Sequence, residues 1–517
     1  MKPIRFPRRF TLVLVLAAFI FVACASGPSQ PEMFAGNSSY SYSEASPAAT
    51  ASPANTLTPP NGESEADMFF EDYGVNPFID AEDDNLSTFA IDVDTGAYTV
   101  MRRYLHDGAL PPDESVRVEE YVNYFEQDYG RPQNGAFAIH LEGAPAPYGE
   151  NDAYYLVRVG LQGYEVDPAQ RPDAMLIFVI DVSGSMDMEN RLGLVKESLL
   201  MLLDNLRPTD RVGLVVYGSR GRVVLEPTAV DSRRAIEQAI HRLEPEGSTN
   251  AEEGLMLAYE LAEEYAIPGG INRLILCSDG VANVGNTAAE AILSYAAAGI
   301  QLSSFGFGMG NYNDVLMEQL ADNGDGSYAY IDTMKEAERV FKTQLTTTLL
   351  TIAQDAKIQV EFNPTIVERY RLLGYENRDV ADQDFRNDSV DAGEIGAGHS
   401  VTALYEVKFA PEPDAQTPAL LAYVRYADPA TGEVSEISES IALSEFAPAF
   451  AQTTPRFQLS AIVAEFAEIL RGSYWAKDNS LGNLVTEAQR IAEYLPNDGD
   501  VQEFASLVRQ AASLSAK

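Results

Sequence analysis

Cysteine is almost absent from this 517-residue chain, which holds only Cys24 and Cys277. Cys277 lies inside an apolar run, where cysteine behaves as a small hydrophobe. Cys24 ends the first apolar stretch, so the fold has to stand without covalent staples. Basic residues are also short, with 36 Lys and Arg against 77 Asp and Glu, and no lysine falls between Lys2 and Lys196. A formal charge of −41 excludes nucleic acid as the expected partner, because phosphate binding needs clustered Lys and Arg. The acidic residues are spread along the whole chain, which reads as a solubilising surface more than as a cation-gathering one. The scarcity of lysine relative to arginine fits a saline source and a GC-rich genome equally. The apolar run near the start, Thr11 to Val22, is too short to make a transmembrane helix.

That run follows Lys2, Arg5, Arg8 and Arg9 and ends at Ala23, the layout of an export signal. Phe21-Val22-Ala23-Cys24 resembles a bacterial lipobox, although Phe21 stands where the usual motif has Leu. The resemblance implies cleavage before Cys24 and acylation of its thiol, with palmitate among the chains added. Ala25, in place of an Asp, implies sorting to the outer membrane by the rule for lipoproteins of double-membraned bacteria. A plain membrane anchor and an ordinary signal peptide stay open on the residues alone. From Ala25 to about Met68 the chain is rich in Ser, Ala, Pro, Thr and Gly, with too few large apolar residues to repay ordering, so it reads as a flexible tether.

Ala174 to Ile180 is a continuous apolar run that fits a strand covered on both faces. Asp181 falls at its carboxyl end, where open α/β sheets place their ligands. Asp181, Ser183 and Ser185 then offer oxygens from one turn, as Mg²⁺ requires. A helix-capping turn is the competing reading, since Leu192, Val195, Leu199, Leu202 and Leu206 follow at helical spacing. Two later segments favour the metal: Gly247-Ser248-Thr249-Asn250 ahead of a helix, and Leu274 to Cys277, a second buried strand leading through Ser278 to Asp279. Together these resemble the metal-ion-dependent adhesion site of von Willebrand factor type A domains. That pattern is met by Asp181, Ser183, Ser185, Thr249 and Asp279. The resemblance implies that Ser183, Ser185 and at times Thr249 touch the ion, while Asp181 and Asp279 act largely through water. The ion it implies is divalent, Mg²⁺ before Mn²⁺ or Ca²⁺.

The expected organisation is a signal peptide over 1–23, a tether over 24–75 and an N-terminal α+β segment over 76–171. An adhesion-type domain over 172–351, a β-rich region over 352–445 and a helical region over 446–517 follow. Within 172–351, strands at Ala174–Ile180, Val212–Tyr217, Arg222–Leu225, Arg273–Cys277, Gln301–Phe307 and Tyr328–Ile331 alternate with helices such as Asp231–Leu243 and Ala288–Ala298. The pattern predicts a doubly wound, mostly parallel α/β sheet. Asp322-Asn323-Gly324-Asp325-Gly326 reads as a turn and not as a calcium loop. The strands expected at Phe137–Glu142 and Tyr154–Gln162 form too small a group to bury a core. They are therefore expected to pair with strands at Ala356–Phe362, Val401–Phe409 and Ala419–Tyr426 in one β-sandwich, into which the adhesion-type domain is inserted. His399 reads as the tip of a glycine-rich turn with no nucleophile placed to need it.

Asp92-Val93-Asp94-Thr95 resembles the nucleophile motif of haloacid dehalogenase-type phosphatases, which supplies an enzyme hypothesis. Its rival is that these carboxylates cap a helix or pair with Arg102, Arg103 or Arg117, and the absence of a nearby lysine favours the rival. Phe89 to Thr95, the adhesion-type centre, Tyr370 to Arg378 and Asp391 to His399 together resemble the bacterial YfbK-type lipoproteins. The expectation that follows is non-enzymatic. It is a lipid-anchored envelope protein that binds an acidic residue of a protein partner through a divalent cation, with a scaffold whose metal only stabilises the fold as the alternative.

Overall fold

The computed structural model describes residues 70–148, 154–188, 191–247, 249–279, 293, 296, 299–308, 312–345 and 349–516. The expected signal peptide, Cys24 and the tether up to residue 69 lie outside these. So does the expected helix over 288–298, apart from 293 and 296. Among the described residues no helix is long and apolar enough to cross a membrane.

In chain order, β1 (Ile79–Asp80) and β2 (Leu86–Ala90) precede α1 (Gly96–His106), α2 (Val118–Asn123), β3 (Phe137–Pro145) and β4 (Tyr154–Gly163). An α/β segment follows: β5 (Ala174–Asp181), α3 (Leu192–Leu203), β6 (Arg211–Tyr217), β7 (Gly221–Ala229), α4 (Arg233–His241), α5 (Ala251–Tyr265) and β8 (Ile271–Ser278). It closes with β9 (Gln301–Phe307), α6 (Asp314–Asp322), β10 (Tyr328–Ile331) and α7 (Met334–Glu338). Then come β11 (Thr351–Phe362), β12 (Val367–Leu373), β13 (Gly393–Gly396), β14 (Ser400–Phe409), β15 (Pro418–Ala427) and β16 (Val434–Ala442). The last elements are α8 (Pro455–Leu470), α9 (Leu481–Tyr494) and α10 (Gly499–Ser515).

The α/β segment forms a six-stranded sheet in the order β10-β9-β8-β5-β6-β7, parallel except for β7, which runs antiparallel to β6. β5 is apolar throughout because its alternate residues serve two cores. Leu176, Phe178 and Ile180 pack with Val195, Leu199 and Leu202 of α3, whereas Met175, Ile177 and Val179 pack with Leu255 and Ala258 of α5 and Leu320 of α6. Val100 and Tyr104 of α1 join the second core, so an N-terminal helix completes the cover of this sheet.

β4 pairs antiparallel with β14, Val157 opposite Tyr405, within a sheet ordered β1-β12-β14-β4-β3. The chain therefore leaves a sheet at β4, builds the α/β segment, and returns to the same sheet. A second sheet, β13-β11-β15-β16 with β2 beside β11, packs its Ile358, Val360, Ala422 and Val424 against Val157, Val159 and Tyr405 of the first. Neither sheet buries a core alone, and facing each other they form the sandwich. Helices α8, α9 and α10 pack with α1 and α2 in a separate helical core around Phe457, Phe466 and Phe504.

Candidate metal centre

The site begins where β5 runs out of apolar residues. Asp181 is fully buried, and the Val182 N–H continues the pairing with β6 by donating to the Tyr217 carbonyl at 2.9 Å. The Ser183 N–H turns back onto Asp181 Oδ1 at 2.7 Å. A 3₁₀ turn over Gly184–Asp187 leaves the Ser183 and Ser185 hydroxyl oxygens 3.0 Å apart. On the adjacent parallel strand β8, Ser278 donates to Asp181 Oδ2 at 3.3 Å, and the buried Asp279 comes next.

A third loop closes in through backbone contacts. The Gly184 N–H donates to the Gly247 carbonyl at 3.1 Å, and the Asn250 N–H to the Gly218 carbonyl at 3.0 Å. Thr249 is buried between these anchors, and Asn250 caps α5 by accepting from the Glu253 N–H. Gly247 has φ +72°, and a Cβ there would lie 2.0 Å from Ser219 Oγ, so glycine is what lets this loop approach. Asp181, Ser183, Ser185 and Asp279 are thus joined directly or through Ser278 and Arg191. Thr249 stands at the same end of the sheet.

Burial, and then the charge of Asp279, push the Asp181 carboxyl up to about 7, with the Ser183 and Ser278 hydrogen bonds pulling it only part of the way back. Two buried carboxylates that raise one another call for counter-charge, of which the Arg191 guanidinium on Asp279 supplies one unit and leaves the other to be met. The five residues offer carboxylate and hydroxyl oxygens alone, the donor set of a hard divalent cation. Mg²⁺ fits it, and so do Mn²⁺ and Ca²⁺.

Arg191 was not anticipated from the sequence. It is fully buried, and its Nη1 donates to Asp279 Oδ2 at 2.8 Å and to the Ser185 carbonyl at 2.9 Å. Its signal in the sequence is a cation immediately before α3, where the helix dipole disfavours one.

The fold gives no support to a phosphatase site at Asp92 and Asp94. The strand before them, β2, runs antiparallel to β11 and gives them no place at the end of a parallel sheet. Asp92 Oδ1 accepts from the Asp94 N–H at 2.8 Å, and Asp94 Oδ1 from the Tyr328 N–H at 3.0 Å. The pairing expected with Arg102, Arg103 or Arg117 is also corrected. Arg102 binds Asp332 and Glu336, Arg103 binds Asp107, and Arg117 binds Asp314 and Glu120. Arg378 is the cation beside Asp92 and Asp94, at 3.3 and 3.7 Å.

Around Arg117 and Arg378 the structure gathers a buried acidic network, in which Asp92, Glu120 and Glu318 bring carboxylate oxygens within 4.8 Å of one another. Burial is the first cause that pushes Glu120 up to about 8 and Glu318 to about 7. A cavity of about 340 Å³ opens beside it, lined by Asp92, Asp94, Arg378, Asp391 and Glu394 among others. His399 Nδ1 accepts from the Gly396 N–H at 3.3 Å, and burial pushes the ring down to about 4. It is therefore a neutral turn residue.

Three family models match the chain: one described as "von Willebrand factor" over 64–158, a von Willebrand factor type A domain over 176–281, and the C-terminal region of the uncharacterized protein YfbK over 347–514. The uncharacterized protein YfbK of Escherichia coli strain K12 is 36% identical over 471 residues, covering 86% of this chain and 80% of that one. The uncharacterized protein sll0103 of Synechocystis is 26% identical over 363 residues, 69% of this chain and 82% of that one. Among solved structures, a von Willebrand factor type A protein from Catenulispora acidiphila aligns with a TM-score of 0.42 and 16% identity, over 73% of this chain and 90% of that one.

Proposed function

The chain belongs to the YfbK family and carries a von Willebrand factor type A domain at its centre, and on that premise we propose that it is an envelope lipoprotein that binds a protein partner through a divalent cation. Domains of this type generally mediate contacts between proteins. The observation that carries the reading is the pair of buried carboxylates, Asp181 and Asp279, at the carboxyl ends of adjacent parallel strands, with the Ser183 and Ser185 hydroxyls 3.0 Å apart beside them. A bound cation supplies an open coordination position whose charge makes an incoming carboxylate worth burying. Asp181 and Asp279 hold the charge, the hydroxyls hold position, and an acidic side chain of the partner completes the set.

The lipid anchor at Cys24 and the outer-membrane address belong to the same proposal. They place the binding domain at the end of a tether that starts at the membrane. A pull-down from envelope extract with Mg²⁺, repeated with EDTA, tests the reading. A partner captured with Mg²⁺ and released by EDTA supports it, and one retained equally in both contradicts it. The scaffold reading predicts that EDTA lowers the melting temperature and leaves every captured partner in place.

A further inference from the structure

Arg191 is built into the site from three sides. It is the residue before α3, with its guanidinium on Asp279 Oδ2 and on the Ser185 carbonyl. Gly308, just past β9, packs on its stem, since a Cβ at Gly308 would lie 2.5 Å from both Cγ and Nε of Arg191, and Gly308 has φ +88°. The loops after β5, β8 and β9 therefore close on one side chain that is fully buried. An exposed ion pair contributes little, whereas a buried guanidinium beside a candidate ion fixes a full unit of charge there.

Resting on the metal-site reading above, we propose that Arg191 sets the charge of the site so that the bound cation takes a carboxylate ligand in preference to a neutral one. Asp181 and Asp279 bring two negative charges and Arg191 one positive. With a divalent cation the sum is one positive charge, which a single carboxylate neutralises. Without Arg191 the two aspartates cancel the cation, and an incoming carboxylate becomes a buried charge with no counterpart. By engaging Oδ2, Arg191 also keeps Asp279 from closing on a cation with both oxygens. Its presence thus weakens the hold on the metal and strengthens the hold of the loaded site on an anion. Arg191 is a positioning residue, acting through Asp279 and through the field, and touching no ligand.

The test uses the full chain with Mn²⁺ followed by calorimetry, and with acetate followed by the Mn²⁺-induced broadening of its methyl resonance, acetamide being the neutral control. Arg191→Met is expected to bind Mn²⁺ about tenfold tighter and to bind acetate about tenfold weaker, each a shift of about 1.4 kcal/mol, with acetamide unchanged. Arg191→Lys, which keeps the charge, stays within about threefold of wild type on both. If Arg191→Met does not fold, Gly308→Ala, whose Cβ displaces the Arg191 stem, is read in its place and is expected to shift both affinities in the same directions. Unchanged Mn²⁺ and acetate affinities in Arg191→Met overturn the proposal, and so does an Arg191→Lys protein that loses acetate as fully as the Met variant. A wild-type protein that binds no Mn²⁺ overturns the metal-site reading and this proposal together. Loss of Mn²⁺ in Asp181→Ala with no opposing shifts in Arg191→Met overturns this proposal alone.

Discussion

Arg378 donates to the Asp92 carboxylate at 3.3 Å across 286 residues of sequence. The same guanidinium reaches Glu318 at 2.8 Å and Asp322 at 2.7 Å on α6. One largely buried cation therefore ties the loop after β12 to the segment after β2 and to α6 of the α/β segment. Together with Arg117 on Asp314, Arg102 on Asp332 and the packing of α1, it holds the flanking regions to the central sheet.

Arg378→Ala is expected to destabilise the whole protein by about 2–4 kcal/mol, because removing a largely buried cation strands the buried Asp92 and Glu318 carboxylates left behind. Urea unfolding followed through the sole tryptophan, Trp475, whose ring packs edge-on against Phe78, measures it. A loss below about 1 kcal/mol, the worth of an exposed pair, contradicts the assignment.

Those ties explain what the sequence could and could not disclose. β5 was legible because burial on both faces leaves an unbroken apolar run, and Asp181 and Asp279 because each ends such a run with a carboxylate. α3 was legible from the spacing of Leu192, Val195, Leu199 and Leu202. The return of the chain to its first sheet followed from how few strands precede residue 172. The pairing of Arg378 with Asp92 left no local trace, since an ion pair 286 residues apart imposes no periodicity. β16 was missed because its exposed Ser and Glu positions read as a polar loop, and β1 because two residues carry no pattern. The place of α1 over the central sheet depends on packing between distant segments, which no window of sequence contains.

The acidic network predicts the direction of the pH dependence. Glu119 and Glu318 are pushed up to about 7 and Glu120 to about 8, in each case first by burial. Groups raised in the folded state keep protons that the unfolded chain has released, so the stability they contribute is full below their ordinary value of 4.5 and is lost as pH rises through 7 to 8. The urea midpoint is expected to fall from about pH 5 to about pH 8 and to level off above it. Glu119 is buried, its carboxylate oxygens meet no side-chain donor among the described residues, and the Tyr375 and Glu119 backbone N–H groups pull it only part of the way back. Glu119→Gln should therefore stabilise the protein at pH 8 by on the order of 1 kcal/mol and flatten the profile. A variant less stable than wild type at pH 8 contradicts this.

Gly247→Ala tests the third loop of the proposed metal centre. Its positive φ and the Ser219 hydroxyl in the path of a Cβ force the loop carrying Thr249 to shift. The expected cost is about 1–2 kcal/mol of stability, together with weaker Mn²⁺ binding. Equal Mn²⁺ affinity in the variant shows that Thr249 stands outside the site.

Cys24→Ala is expected to release the protein into the soluble envelope fraction or to leave it as uncleaved precursor. Under the proposed lipidation each buried methylene of an acyl chain would hold the membrane by about 0.8 kcal/mol, and that hold would be lost with the thiol. Membrane fractionation and the size of the mature chain read the outcome. A variant that is processed and sediments with membranes as wild type does contradicts lipidation at this residue.

Calorimetric titration of Mg²⁺ and Mn²⁺ into wild-type and Asp181→Ala protein tests the central claim most directly. Asp181→Ala removes one of the two buried carboxylates from a site whose other named ligands, Asp279 apart, are neutral hydroxyls. The account predicts one cation bound by wild type and an affinity lowered by tenfold or more in Asp181→Ala, about 1.4 kcal/mol at the least. An Asp181→Ala protein that binds the ion as tightly as wild type contradicts it.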